Sequence, residues 1–193
     1  MKKKIAILGS TGSIGENTLK IIEKDKKNFE ISLLSTNKNI NKIFKQAKKF
    51  KVKNLIITDL ESFHKAQIKS KKSKLKVYNN FNSFDKIFRK KNDFIMSSIT
   101  GLSGLEPTLK SIKFTKKILV ANKESIICGW ILINKELKKH KTNFIPVDSE
   151  HFSIYSLLNS ENNKEIDKIY ITASGGPFLN FPKKKFIKIK PRQ

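Results

Sequence analysis

The chain has 193 residues, with 41 Lys and Arg against 16 Asp and Glu, a formal net charge of +25. Its hydrophobic content of 38% suffices for one sizeable core and the start of another. No apolar run reaches the roughly 18 residues of a membrane-spanning helix, and the single cysteine, Cys128, excludes an intramolecular disulfide or a multi-cysteine metal site.

Met1–Lys4 is basic, but Ile5–Leu8 is too short for the apolar region of a signal peptide. It reads as a buried strand, Lys4–Leu8, ended by Gly9, and the protein as cytoplasmic. Ile14–Lys24 follows with apolar residues at helical spacing (Ile14, Leu19, Ile21, Ile22). Then come a strand at Phe29–Leu34, a helix at Ile40–Phe50, a strand at Asn54–Thr58 and a helix at Ser62–Lys69. A short strand at Lys76–Tyr78 and a helix at Phe81–Lys90 lead to a strand at Phe94–Ile99. A helix at Leu105–Lys113, a strand at Lys117–Ala121, a long helix at Ser125–His140 and a strand at Asn143–Val147 continue the alternation. His151–Leu158 reads as a helix and Lys168–Thr172 as a strand.

This alternation predicts α/β architecture: a Rossmann-like, doubly wound, mainly parallel sheet with right-handed crossovers. The predicted division is a dinucleotide-binding domain over 1–150 and the beginning of an incomplete α+β domain over 151–193. The polar stretch Glu161–Lys164 is a linker or turn, and no element is assigned to Phe181–Gln193. Cys128, between Ile127 and Gly129, is expected to be a small buried hydrophobe.

A large positive charge raises nucleic acid or anionic lipid as partners. Here the excess is lysine, spread over nearly every helix; Arg89 and Arg192 are the only arginines, although arginine suits bidentate phosphate contacts. A solvated lysine surface is therefore expected, with neither nucleic acid nor membrane as partner. The phenylalanines fall at core spacing rather than on an exposed stacking platform.

Gly9-Ser10-Thr11-Gly12-Ser13-Ile14-Gly15 lies between the first strand and the first helix. Glycines there allow a tight turn and close approach of backbone to a pyrophosphate, and the helix start offers free N–H groups. The Gly-Lys-Ser/Thr ending of a Walker loop is absent. The second strand leads into Ser35-Thr36-Asn37-Lys38-Asn39 with no acidic residue to hold a ribose 2′-hydroxyl. A carboxylate would repel a 2′-phosphate and Lys38 would attract it, which favours NADP over NAD. In so lysine-rich a chain, the missing acid weighs more than the lysine.

Ala121-Asn122-Lys123-Glu124-Ser125 and Pro146-Val147-Asp148-Ser149-Glu150-His151 each follow a strand. Ligands of open α/β sheets bind outside the carboxyl ends of the strands. Asp148 and Glu150, two apart, point the same way if the segment is extended, as an oxygen-rich site for Mg²⁺ or Mn²⁺ requires. Capping of the next helix by Ser149 and Glu150 is an equally available reading.

Together with Ala173-Ser174-Gly175-Gly176-Pro177-Phe178, these motifs resemble, in order, those of the 1-deoxy-D-xylulose 5-phosphate reductoisomerase family, over the entire chain. The resemblance implies an NADPH-dependent enzyme of isoprenoid-precursor synthesis by the methylerythritol phosphate pathway. It would convert the phosphorylated ketose to 2-C-methyl-D-erythritol 4-phosphate with a divalent metal, as a homodimer at full length. It further implies cofactor contacts at Thr11, Gly12, Ser13, Ile14, Asn37, Lys38, Asn39, Asn122 and Glu124, and metal ligands at Asp148 and Glu150. Substrate contacts would come from Lys123, Ser149, Glu150 and Ser174, with Lys123 and Glu150 as the catalytic pair. The family commonly has glycine where Asn37 stands; asparagine tolerates unusual backbone angles. The family's third acidic metal ligand, mobile loop and C-terminal helical domain have no counterpart before Gln193, so the chain is expected to be an N-terminal fragment, inactive by itself. Another NADP-dependent Rossmann oxidoreductase would share only the first motif, and a nucleic-acid-binding module none.

Overall fold

The computed structural model describes residues 2–71, 73–160, 166–171, 182, 184 and 186. By internal contacts the chain divides into two units, Met1–Phe152 and Ser153–Gln193.

The first unit is a seven-stranded sheet in the order β4-β3-β2-β1-β5-β6-β7, parallel at every pairing. Its strands are β1 (Lys3–Leu8), β2 (Phe29–Thr36), β3 (Asn54–Ile57), β4 (Lys76–Tyr78), β5 (Asn92–Ser97), β6 (Thr115–Val120) and β7 (Asn143–Pro146). Parallel strands cannot be joined by tight hairpins, so helices carry the crossovers: α1 (Ser13–Lys24), α2 (Ile40–Phe50), α3 (Leu60–Ser70), α4 (Phe84–Ile87), α5 (Leu105–Ile112) and α6 (Lys123–His140). A further helix, α7 (Ser149–Ser160), follows β7.

Alternation along the strands separates two faces. Ile5, Ile7, Leu34, Leu55 and Met96 pack with Leu19 and Ile22 of α1, Ile43 and Ala47 of α2 and Ala66 of α3. On the other face Ala6, Leu8, Leu33, Ile56 and Ile95 meet Phe84 and Phe88, while Ile118 and Val120 meet Ile133 and Leu137 of α6. Both faces are covered, which is why the central strands are nearly continuous apolar runs. β1 lies between β2 and β5, so the chain's direction of travel across the sheet reverses there.

Four expectations need correction. The helix expected at Phe81–Lys90 is a 3-10 turn (Phe81–Ser83) followed by only four α-helical residues. Phe88 leaves the helix with φ −104° and ψ 99° and turns into a phenylalanine cluster with Phe81, Phe84 and Phe114, at centroid spacings of 5.3–5.8 Å. Burying the ring wins over continuing the helix.

Cys128 is exposed, not buried. The inward stripe of α6 is Ser125, Gly129, Ile133 and Leu137, so Cys128 falls on the outer side with Ile127 and Ile131. Ile21 is likewise exposed on α1, and Phe152 and Phe186 depart from the expected burial of phenylalanine.

Finally, the described part of the expected strand Lys168–Thr172, residues 168–171, has no regular structure and pairs with no strand among the described residues.

Candidate functional site

At the point of reversal the loops after β1 and β5 diverge, and a cavity of about 740 Å³ opens at the carboxyl ends of the strands. That volume suits a small ligand. Its lining includes Gly9, Thr11 and Gly12 from the first turn, Ser35–Asn37 after β2, and Ser98–Thr100 after β5.

Two glycines make the turn possible. Gly9 has φ +82°, and a Cβ there would stand 2.8 Å from the Ser98 carbonyl oxygen. A Cβ on Gly15 would stand 2.4 Å from the Gly9 carbonyl oxygen. The first turn of α1 therefore lies directly against the loop it follows.

Gly12 begins α1 without a side-chain cap, so the helix presents amide donors to an anion. Ser10 fixes the loop from behind: its hydroxyl donates to Gln46 Oε1 (2.8 Å), and Gln46 Nε2 returns a bond to the Ser10 carbonyl (2.9 Å). The Thr11 hydroxyl is bonded to that of Thr36 at 2.7 Å. Lys42 reaches over from α2 to the Thr11 carbonyl at 3.1 Å and pairs with Glu16. Ser98 and Lys42 belong to no motif in the sequence, and Ser35 and Thr36, which open the loop after the second strand, carry no role there; the signal of all four is position at strand ends or one turn into α2.

Asn37 lies in the cavity wall, with its Nδ2 donating to Thr58 Oγ1 at 2.9 Å. It does not use the left-handed region; among the described non-glycine residues Lys51 and Lys141 do, each ending a helix. Asn39 caps α2 by accepting from the Lys42 amide at 3.1 Å. The ammonium of Lys38 stands 3.8 Å from Asp59, an acid brought from the end of β3. The Ser62 hydroxyl and amide, assisted by Lys38, hold the Asp59 carboxyl below the ordinary aspartate range. So no acid ends β2, yet one approaches Lys38 from the next strand.

Asn122 is buried, and its amide group is fully employed. Its Oδ1 caps α6 by accepting from Ser125 N (2.8 Å), and its Nδ2 donates to the carbonyls of Ile99 and Gly101. It thereby ties the loop after β5, part of the cavity wall, to the start of α6. Lys123 and Glu124 stand exposed on the first turn of that helix. Among the described residues, Ser125 Oγ is buried with no hydrogen-bond partner.

Asn122→Asp keeps the cap oxygen but removes both donors and sets a carboxylate against two carbonyls. It is expected to cost roughly 2–4 kcal/mol, read as a lower urea midpoint at unchanged m-value.

After β7, Asp148 opens α7. Its Oδ1 accepts from His151 N at 2.9 Å and contacts His151 Nδ1 at 2.6 Å. Burial pushes the Asp148 carboxyl up, but the backbone N–H, ring and charge of His151 outweigh it and hold the group below its usual range. Asp148 thus stays ionised. Glu150 lies in the first turn of α7. Of the two readings, capping is what the structure shows, at Asp148 itself rather than at its neighbours; the segment turns helical at Ser149 instead of running extended through Glu150. Two hard oxygen donors suit Mg²⁺ or Mn²⁺; among the described residues no group of three or more His, Cys, Asp or Glu is placed to hold a metal. Ser174 lies outside the described residues.

Residues 5–129 match the sequence model of 1-deoxy-D-xylulose 5-phosphate reductoisomerase, and 144–193 that of its C-terminal domain. The enzyme of Pelagibacter ubique is 60% identical over 186 residues, covering 95% of this chain and 48% of that protein. That of Clostridium tetani is 40% identical, covering 91% and 47%. Among solved structures, the Zymomonas mobilis reductoisomerase in complex with NADPH superposes with a TM-score of 0.83 at 29% identity, over 100% of this chain and 51% of that one. A reductoisomerase in complex with NADPH, fosmidomycin and magnesium gives 0.79 at 29% identity, over 97% and 49%. The chain spans about half the length of the relatives it matches.

Proposed function

Since this chain belongs to the 1-deoxy-D-xylulose 5-phosphate reductoisomerase family, we propose that it supplies the NADPH site and two metal ligands of an enzyme with that activity. The substrate would be the phosphorylated ketose and the product 2-C-methyl-D-erythritol 4-phosphate, made in the cytoplasm by a homodimer of the longer protein. The dinucleotide domain would span 1–150, with the catalytic domain beginning at 151. The observation that carries this reading is the uncapped start of α1 facing the cavity where the sheet reverses.

NADPH, when bound, would supply a hydride to the aldehyde left by the isomerisation. The residues present fit its parts. The amides after Gly12 and the hydroxyl of Ser13 would bind the pyrophosphate, with Thr11 holding the turn and Ile14, partly exposed, against the dinucleotide. Asn37, Lys38 and Asn39 would receive the adenosine 2′-phosphate. Asn122 would act by bracing the cavity wall rather than by touching cofactor, since its amide is already engaged. Glu124 would border the reactive end of the cleft.

A divalent metal on Asp148 and Glu150 would act as a Lewis acid toward the substrate's oxygens. Lys123 would orient the substrate, Ser149 and Ser174 would bind it, and Glu150 would serve substrate as well as metal.

The test is a fluorescence titration with NADPH and NADH. Lys38→Ala is expected to weaken NADPH by roughly 1–2 kcal/mol, the loss of one charge-assisted contact. NADH affinity should be nearly unchanged. Equal or tighter NADH binding by the unaltered chain would sink the reading.

A further inference from the structure

The short α4 has a second effect. A four-residue helix is only about 6 Å long and cannot cover strands several times that length. Beneath it, at the amino ends of β1 to β5, lies a cavity of about 660 Å³ that shares no lining residue with the dinucleotide cleft. Lys4 reaches it from β1, and Lys53, Lys74 and Lys76 from the approaches to β3 and β4; Lys86, Arg89 and Lys90 close it from α4 and the segment after.

That makes seven cations and no acid in the wall. Among the described residues none of the seven side chains has an ion pair or hydrogen-bond partner. Elsewhere lysines do find acids, as Lys49 does with Glu23, Lys113 with Asp85 and Lys116 with Asp93.

The remaining wall is apolar or already satisfied. Ile87, Tyr78 and Phe88 offer carbon surface. Ser32 donates to Asn92 Oδ1 at 2.7 Å, Asn92 Nδ2 donates to the Phe114 carbonyl, and Asn54 Nδ2 to the Ser32 carbonyl. A concave set of unpaired like charges focuses potential and favours a polyanion; a volume of this size admits a small molecule, and an apolar wall favours one with a ring.

We propose that this cavity is a second anion site, taking a small molecule with several phosphates on an aromatic base, of the nucleoside di- or triphosphate class.

The experiment is calorimetric titration of the whole chain with adenosine triphosphate, in about 0.15 M salt, where diffuse surface attraction is screened beyond about 8 Å. Excess NADPH is present to occupy the other cleft. One triphosphate per chain is expected. Lys86→Glu and Arg89→Glu, both exposed, should each weaken it about tenfold or more, with Lys139→Glu, exposed on α6 and outside both cavities, without effect. Lys53→Gln, outside α4, should weaken it too and guards against a folding defect in the reversals, checked by circular dichroism. Inorganic tripolyphosphate should bind more weakly than the nucleotide. No binding, binding without fixed stoichiometry, or binding indifferent to all three cavity variants would overturn the proposal. So would displacement by NADPH, or tighter binding of a single-stranded oligonucleotide.

Discussion

Gly15→Ala is expected to abolish NADPH binding and to lower Tm together. The added methyl would stand 2.4 Å from the Gly9 carbonyl oxygen, 2.6 Å from Ser10 Cα and 2.8 Å from the Ser10 carbonyl carbon. All three are backbone atoms, so no side chain can rotate away. Nor can the loop retreat easily, because Ser10 is bonded to Gln46 on one side and its amide to the Ser35 carbonyl on the other. Overpacking of this kind costs about 3 kcal/mol, or roughly 6–12 °C in Tm for a unit of this size. Gly12→Ala is the matched control. Its nearest neighbour is the Gly9 carbonyl oxygen at 3.5 Å, an ordinary contact, and its φ is −81°. It should melt within a few degrees of the parent yet bind NADPH poorly, because the methyl would project where the pyrophosphate belongs. Differential scanning calorimetry and nucleotide fluorescence on both variants separate the effects. A Gly15→Ala chain with unchanged Tm would show that α1 does not lie against the loop as described.

In a protein of the relatives' full length, Asp148→Asn and Glu150→Gln should each reduce metal-dependent NADPH oxidation by about 10³-fold or more, the several kcal/mol that a Lewis acid contributes to a transition state. NADPH affinity should be unchanged, because both residues follow β7, at the far edge of the sheet from β2 and its cofactor loop. Asp148→Asn has a second expected effect, a weaker start to α7, since the carboxylate also accepts from His151. Stopped-flow absorbance reports turnover, and Mn²⁺ binding by electron paramagnetic resonance reports the metal directly. Normal turnover by either variant would remove these carboxylates from the metal site.

The sheet was legible in the sequence because its strands are buried on both faces and read as apolar runs such as Ile5–Leu8 and Leu55–Ile57. The first turn was legible because glycine is dictated by close backbone contacts that a motif records. Asn122 was legible as a position but not as a role: nothing local reveals that its amide spans to Ile99 and Gly101. Ser35, Thr36 and Lys42 reach the site only through the pairing of β1 with β2 and the packing of α2. Asp59, the cap of α3 beyond β3, leaves no signal at the end of β2. α4 misled because Phe84 and Phe88 fit helical spacing, while the aromatic cluster that captures Phe88 involves Phe114, a partner distant in sequence.

The position of β1 at the middle of the sheet also sets an order of events during synthesis. β1 can pair with β2 as soon as Thr36 has emerged, but its other edge must wait for β5, which ends at Ser97. At ribosomal rates of about 5–20 residues per second, those roughly sixty residues take on the order of 3–12 s. Throughout that interval a strand whose Ile7 and Leu8 are fully buried in the finished fold presents an open edge to whatever is nearby. Chaperone dependence and misassembly of the nascent chain should therefore concentrate before β5 is complete, and pausing the ribosome between β2 and β5 should lower the yield of folded protein more than pausing after β7.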